Sequence, residues 1–152
     1  MATPSTNHDI KVLNSLIETT LDSADGYGQA SESASNTSYK NLFQEWSTER
    51  QRVATDLQGQ VRTLGGKPDA DGSALAAGHR MFLKLKDSVT KSDESVIDEV
   101  ERGEDFIKAK FEHAIEDNEL SASVRDVVIR AYTSIKSGHD QARNLKHSFK
   151  RN

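Results

Sequence analysis

The sequence predicts an all-α fold, in which long amphipathic helices pack as a bundle. Apolar residues recur at the three- and four-residue spacing of a helix along most of the chain. No segment alternates apolar and polar residues for long enough to form a strand. The two prolines, Pro4 and Pro68, leave long stretches without a helix breaker. With 34% hydrophobic residues in 152 positions, we expect one thin-cored domain spanning residues 1–152.

The first two predicted helices have recognisable ends. The first carries an apolar stripe from Leu13 to Tyr27, and we expect it to stop in the glycine- and serine-rich stretch 26–38. Asn36 or Thr37 suits the N-cap of the second helix. That helix should end at Leu64-Gly65-Gly66-Lys67-Pro68, because a glycine can cap a C-terminus and proline cannot continue the helix.

Three more helices are predicted in the second half of the chain. A shorter one begins at Asp71 or Ser73 and runs to about residue 90, and Ser92 and Ser121 cap a fourth and a fifth. Residues 1–6 and 148–152 are expected to fray. The four long helices suit an antiparallel four-helix bundle with the additional helix in the crossover connection, whereas an up-down bundle of five helices is the alternative.

Composition excludes several classes of function. The absence of cysteine excludes disulfide scaffolds, thiol nucleophiles and iron–sulfur clusters. A well-mixed net charge of −4 argues against a nucleic-acid-binding surface, and no run approaches the ~20 apolar residues of a membrane span. The first residues do not resemble a secretory signal, so we expect a cytoplasmic protein without a membrane partner. No catalytic or nucleotide-binding motif is present, which favours a protein without catalytic residues or cofactor.

Each long helix interrupts its apolar stripe once near the middle. The interrupting residues are Thr20, Glu49, Glu104 and His139. Burying two carboxylates is costly unless they are paired or bound to a cation. One interpretation is a metal site formed by Glu49, Glu104 and His139, since carboxylates and imidazoles from facing helices are typical ligands. The other is a polar layer that satisfies its own hydrogen bonds or partly reaches solvent.

Two predicted helices carry a resemblance to a known superfamily. The second has Phe43, Ser47, Glu49 and Arg52 before its glycine-rich terminator, and the fourth has Glu104 seven residues before Phe111. These motifs resemble the ferritin-like superfamily and, more narrowly, a bacterial family of uncharacterised four-helix-bundle proteins. The closer match rests on Leu13–Thr19, Asp22–Tyr27, Leu64–Gly66, Glu101–Asp105 and Gly138–Asp140. The resemblance implies a ferritin-like bundle and no established activity.

The resemblance also implies a degenerate di-iron site. The first-helix glutamate falls on Thr20, the histidine partner of Glu49 falls on Arg52, and the last Glu-x-x-His falls on Lys136 and His139. Arginine cannot ligate a metal, and two cations where metal ions would bind are electrostatically unfavourable. We therefore expect Arg52 and Lys136 to replace the metals and neutralise Glu49 and Glu104. The predicted buried polar layer comprises Thr20, Glu49, Arg52, Glu104, Lys136 and His139.

Two functions follow from these expectations. The first is a non-catalytic bundle with a structural or interaction-mediating role, for which fold analogy suggests an association with stress. The alternative is a protein that binds iron or manganese through Glu49, Glu104 and His139, or through a shifted set of nearby carboxylates: Glu18, Asp22, Glu45 and Glu101. Leftover apolar residues would favour a homodimer; they are Leu75, Met81, Leu85 and Leu120.

Overall fold

Four long helices make up the bundle. The computed structural model describes residues 4–70 and 92–151. Within them lie α1 (Pro4–Ser33), α2 (Thr37–Thr63), α3 (Asp93–Ile115) and α4 (Ala122–Arg151). These two stretches contain no strand, which confirms the predicted all-α class. The additional helix expected between residue 71 or 73 and residue 90 lies outside the described residues.

Most helix ends fall where the capping residues predict them. The Asn36 side chain accepts hydrogen bonds from the backbone N–H groups of Ser38 and Tyr39 and caps α2. At the other end of α2, Gly65 has a φ of 82°, the left-handed conformation that glycine adopts readily. Ser92 caps α3 by accepting a hydrogen bond from the Ser95 N–H. Ser121 immediately precedes α4.

Helix α1 is longer than the sequence predicts. It continues through the glycine- and serine-rich stretch as far as Ser33, although a stop was expected from residue 26 onward. Its apolar stripe continues through Tyr27 and Ala30, both fully buried, and tertiary packing of this stripe outweighs the weak helix propensity of glycine. Residues 4–6 and 148–151 are also helical, where fraying was expected.

The contacts between helices define a closed bundle. Helices α1 and α4 each pack against both α2 and α3, and they make little contact with each other. The N–H of Ser35, after α1, donates to Asp93 at the start of α3 over 2.7 Å. At the opposite end, His8 near the start of α1 lies 2.7 Å from Asp117, just after α3. Neighbouring helices are therefore antiparallel, while α2 and α3 run in the same direction across a diagonal.

The core is built from the predicted stripes. Leu13, Ile17, Leu57, Ile107 and Ile135 are among its fully buried side chains. Leu120, which was expected on an exposed apolar surface, is also buried, because it closes the turn between α3 and α4. The other residues of that expected surface (Leu75, Met81 and Leu85) lie outside the described residues. None of the described helices has an apolar stretch long enough to cross a bilayer.

Candidate functional site

A buried group of polar side chains lies in the middle of the bundle. Ser23 and Tyr27 of α1, Arg50 of α2 and Glu104 of α3 form what we call the central polar cluster. Arg50 is 2% exposed and Glu104 is 0% exposed. Arg50 Nη2 donates to Glu104 Oε2 over 2.8 Å, and Arg50 Nη1 donates to Ser23 Oγ over 2.7 Å. The Tyr27 hydroxyl donates to Glu104 Oε1, so both carboxylate oxygens are hydrogen-bonded.

The electrostatics of the cluster are those of a buried ion pair. Burial by itself would lower the pKa of Arg50, but the charge of Glu104, its hydrogen bond with Arg50 and the neighbouring Tyr27 and Glu49 together raise that pKa. Burial raises the pKa of Tyr27 well above its ordinary value, and the Glu104 charge raises it further. Tyr27 therefore remains a neutral hydrogen-bond donor to the carboxylate. The Arg50 guanidinium carbon also lies 5.6 Å from the centre of the Tyr27 ring, where a cation–π contact is favourable.

Helix α4 contributes a glycine to this arrangement. A Cβ atom at Gly138 would overlap Arg50 Nη2 and lie 3.5 Å from Glu104 Oε2. Because Arg50 is held by two partners in a buried position, it cannot easily move away from such an atom. The missing side chain at Gly138 thus allows α4 to close over the ion pair.

Aromatic side chains surround one side of the cluster. The Tyr27 ring stacks on Phe43 at 6.2 Å and meets Trp46 edge-on at 5.5 Å. A groove of about 480 Å³ between α2 and α4 passes Trp46 and reaches Arg50 and Gly138. The central polar cluster therefore has aromatic rings against one side and a surface groove over another.

The structure places three of the predicted residues near the surface. Glu49 is only partly buried, and its carboxylate accepts hydrogen bonds from Arg52 and from Ser134 Oγ at 2.9 Å. The Arg52 hydrogen bond lowers the pKa of Glu49. Arg52 is 57% exposed and Lys136 is 56% exposed, and Lys136 pairs with Asp140. Arg52 therefore neutralises Glu49 as expected, but outside the core, and Lys136 does not neutralise Glu104. The prediction that these two cations are buried is wrong.

Thr20 and His139 are buried as expected, but their polar atoms have other partners. The Thr20 hydroxyl donates to the Leu16 carbonyl of its own helix over 2.7 Å. His139 Nε2 lies 2.7 Å from Asp105 Oδ1, and Nδ1 lies 3.3 Å from Asp140 Oδ1. The His139 imidazole therefore lies between the carboxylates of Asp105 on α3 and Asp140 on α4, and it takes no part in the hydrogen bonds of Glu104.

The cation that pairs with Glu104 is Arg50, which the sequence reasoning did not select. A sequence signal for it exists, because Arg50 lies seven residues after Phe43 and seven before Leu57. Phe43 and Leu57 are both fully buried, and residues seven positions apart on a helix point to nearly the same side. Glu49, one position earlier, falls at the edge of that face.

This arrangement does not fit a di-metal centre. The two Glu104 carboxylate oxygens accept hydrogen bonds from Arg50 and Tyr27, and the Arg50 guanidinium keeps a permanent positive charge next to them. Glu49 and His139 have partners elsewhere. Of the shifted carboxylates, Glu101 accepts a hydrogen bond from Lys146 at 3.2 Å, and a hydrogen bond with Asp69 raises the pKa of Glu18. Asp22 is buried and Glu45 is exposed.

A second cluster lies at one end of the bundle, and the sequence reasoning did not select it. His8, Asp117 and Glu119, which we call the end cluster, each offer a ligand atom within 4.8 Å of the other two. In the described part of the chain, it is the one group of three His, Asp or Glu residues with this geometry. His8 is near the start of α1, whereas the two carboxylates lie in the turn between α3 and α4.

Comparison with known proteins places the chain in a family. No curated protein matches the sequence. A family described as a domain of unknown function (DUF2383) matches residues 8–117, which include all four residues of the central polar cluster. This match covers most of the chain and runs from the first helix to the turn after the third. The chain therefore belongs to the DUF2383 family, a family of domains of unknown function.

Proposed function

We propose that this protein is a non-catalytic, ferritin-like bundle with a degenerate di-iron site and a structural or interaction-mediating role. The observation that carries the proposal is the buried ion pair, in which Arg50 Nη2 lies 2.8 Å from Glu104 Oε2. A guanidinium is always protonated and has no lone pair for a metal. Ferritin-like di-iron proteins hold their ions in the bundle core through inward-pointing Glu and His residues, and the central polar cluster also lies in the core of its bundle.

The helix arrangement supports the ferritin-like part of the proposal. In ferritin-like bundles two helix hairpins are joined by one long crossover. Here α1 with α2 and α3 with α4 are the two hairpins, and α2 ends at the opposite end of the bundle from the start of α3. In a simple up-down ring the first and last helices would be neighbours, whereas α1 and α4 lie across a diagonal.

The cellular setting is part of the same proposal. Because the chain has no cysteine, its folding does not depend on an oxidising compartment, which is compatible with the proposed cytoplasmic location. A stress-associated role is proposed from fold analogy with ferritin-like relatives alone. Any interaction partner would use the outer faces of the helices, because the central polar cluster is satisfied within the chain.

The alternative function is binding of iron or manganese in the middle of the bundle. It would use Glu49, Glu104 and His139, with Glu18 or Glu101 recruited. This would require Arg50 to leave Glu104, and moving an arginine out of a buried pair is unfavourable while the carboxylate keeps its charge.

Metal analysis of the purified chain distinguishes the two functions. The protein is purified without chelator or affinity metal, exposed to Fe(II) or Mn(II) and analysed for bound metal. A His8→Gln variant removes the imidazole of the end cluster, so that only the central region is tested. We expect no stoichiometric metal and no thermal stabilisation in this variant. Two metal ions per chain that disappear on a further Glu104→Gln change would contradict the proposal.

A further inference from the structure

We propose that the end cluster is a binding site for one divalent transition-metal ion, with Zn²⁺ as the representative ion. The site consists of His8 from α1 and of Asp117 and Glu119 from the turn between α3 and α4. It lies at an end of the bundle and is independent of the central polar cluster, so the proposal does not rest on the function proposed above.

Two of the three ligands are held in place by the fold. Asp117 Oδ1 accepts the Glu119 N–H over 2.9 Å, which directs Oδ2 toward His8 Nε2 at 2.7 Å. Arg125 of α4 fixes the backbone of the turn by donating to the carbonyl oxygens of Ile115 and Asp117. The pair is thus positioned before any ion binds.

The third ligand can close the site. Donor atoms bound to one Zn²⁺ at about 2.0–2.2 Å lie about 3.3–3.6 Å apart in a tetrahedral site. His8 and Asp117 need to separate only slightly to reach that spacing. The Glu119 side chain is 81% exposed and offers a carboxylate oxygen within 4.8 Å of the other two ligand atoms, so it can move toward the ion without disturbing the core.

A neighbouring groove supplies the fourth coordination position. A cavity of about 250 Å³ between α1 and α3 is lined by His8, Asp117 and a second imidazole, His113. His113 belongs to the last turn of α3 and lines the same cavity as His8 and Asp117. Either His113 or water can therefore complete a four-coordinate ion.

The same groove indicates which ion is preferred. Lys11 and Lys110 also line it, so the local field is less negative than two carboxylates alone would produce. Ca²⁺ and Mg²⁺ depend on several oxygen ligands and on their negative charge. An imidazole with two carboxylates favours Zn²⁺ or a similar borderline ion. Bound metal would link the start of α1 to the α3–α4 turn and stabilise the folded state by mass action.

Titration of the full chain with Zn²⁺ tests the proposal. The chain carries no histidine tag, and a chromophoric chelator competes for the ion, so that both stoichiometry and affinity are measured. We expect saturation at one Zn²⁺ per chain and a rise in Tm. His8→Gln should weaken binding at least about tenfold, as for other losses at a metal site. The matched control is His147→Gln, since His147 is an exposed histidine of α4 outside the cluster.

Several outcomes would overturn the proposal. They are binding that does not saturate, equal weakening by the His8 and His147 changes, and equally strong binding of Mg²⁺ or Ca²⁺. Circular dichroism of each variant checks folding, and Glu119→Gln provides a second test at a solvent-exposed position. Zinc that persists in His8→Gln but disappears in Glu104→Gln would place the ion in the central region and contradict both proposals.

Discussion

Arg50 and Arg52 are two residues apart on α2 and have opposite environments. Arg50 lies within the core against Glu104, whereas Arg52 lies at the surface between Glu49 and Asp56. The same side chain therefore has two energetic roles. Loss of one partner from a buried pair leaves an uncompensated charge, but an exposed pair is screened by water and contributes little.

Replacing each arginine with methionine should separate these roles. Arg50→Met leaves Glu104 charged and buried, and we expect the free energy of unfolding to fall by about 3–5 kcal/mol. Arg52→Met should change it by no more than about 0.5 kcal/mol. Urea unfolding followed by circular dichroism measures both. Similar losses in the two variants would show that the buried Arg50–Glu104 pair contributes no more to the free energy of unfolding than the exposed pairs of Arg52 do.

The face of α4 that packs against α2 carries small residues. They let the two helices come close to each other over the central polar cluster. Ser134 and Gly138 are one turn apart on this face. Ser134 donates to Glu49, and Gly138 makes room for Arg50. The amphipathic pattern of α4 predicted which face is buried, but it did not predict that a glycine there packs against an arginine from another helix.

Two glycine-to-alanine changes test this packing. Gly59 lies within α2 and has open space where the methyl group of an alanine would lie, so Gly59→Ala should stabilise the protein by about 0.5–1 kcal/mol through helix propensity alone. Gly138→Ala gains the same propensity but overlaps Arg50, so we expect a net loss of stability. Thermal unfolding compares the two variants. Equal stabilisation by both changes would mean that Arg50 moves without cost.

At the scale of the whole molecule, the direction of each helix decides which ends meet. The turn after α1 contacts the start of α3, and the start of α1 contacts the end of α3. The segment following α2 returns alongside α1, where the Asp69 N–H donates to Asn14 at 2.9 Å. These contacts place α2 and α3 in parallel on a diagonal of the bundle.

Chemical cross-linking can verify this arrangement, because the chain has no cysteine of its own. In a Ser35→Cys, Asp93→Cys variant both thiols lie at the same end of the bundle, so a short bismaleimide should link them efficiently. In a Ser35→Cys, Glu116→Cys variant the thiols lie at opposite ends. Since α3 is about 35 Å long, the same reagent should not join them. Peptide mass spectrometry identifies the linked residues, and the reverse result would contradict the described topology.

The sequence by itself determined the class of the fold, the caps of α2 and α3 and the buried positions of Glu104, Thr20 and His139. These properties depend on local spacing and on short-range capping, which can be read along one helix. The tertiary structure decided that α1 continues through its glycines, that Arg50 rather than Arg52 pairs with Glu104, and that His8 meets Asp117. Each depends on rotation or contact between helices distant in sequence. The two positions that separate Arg50 from Arg52 on α2 turn the side chain by about 200°, from the core to the surface.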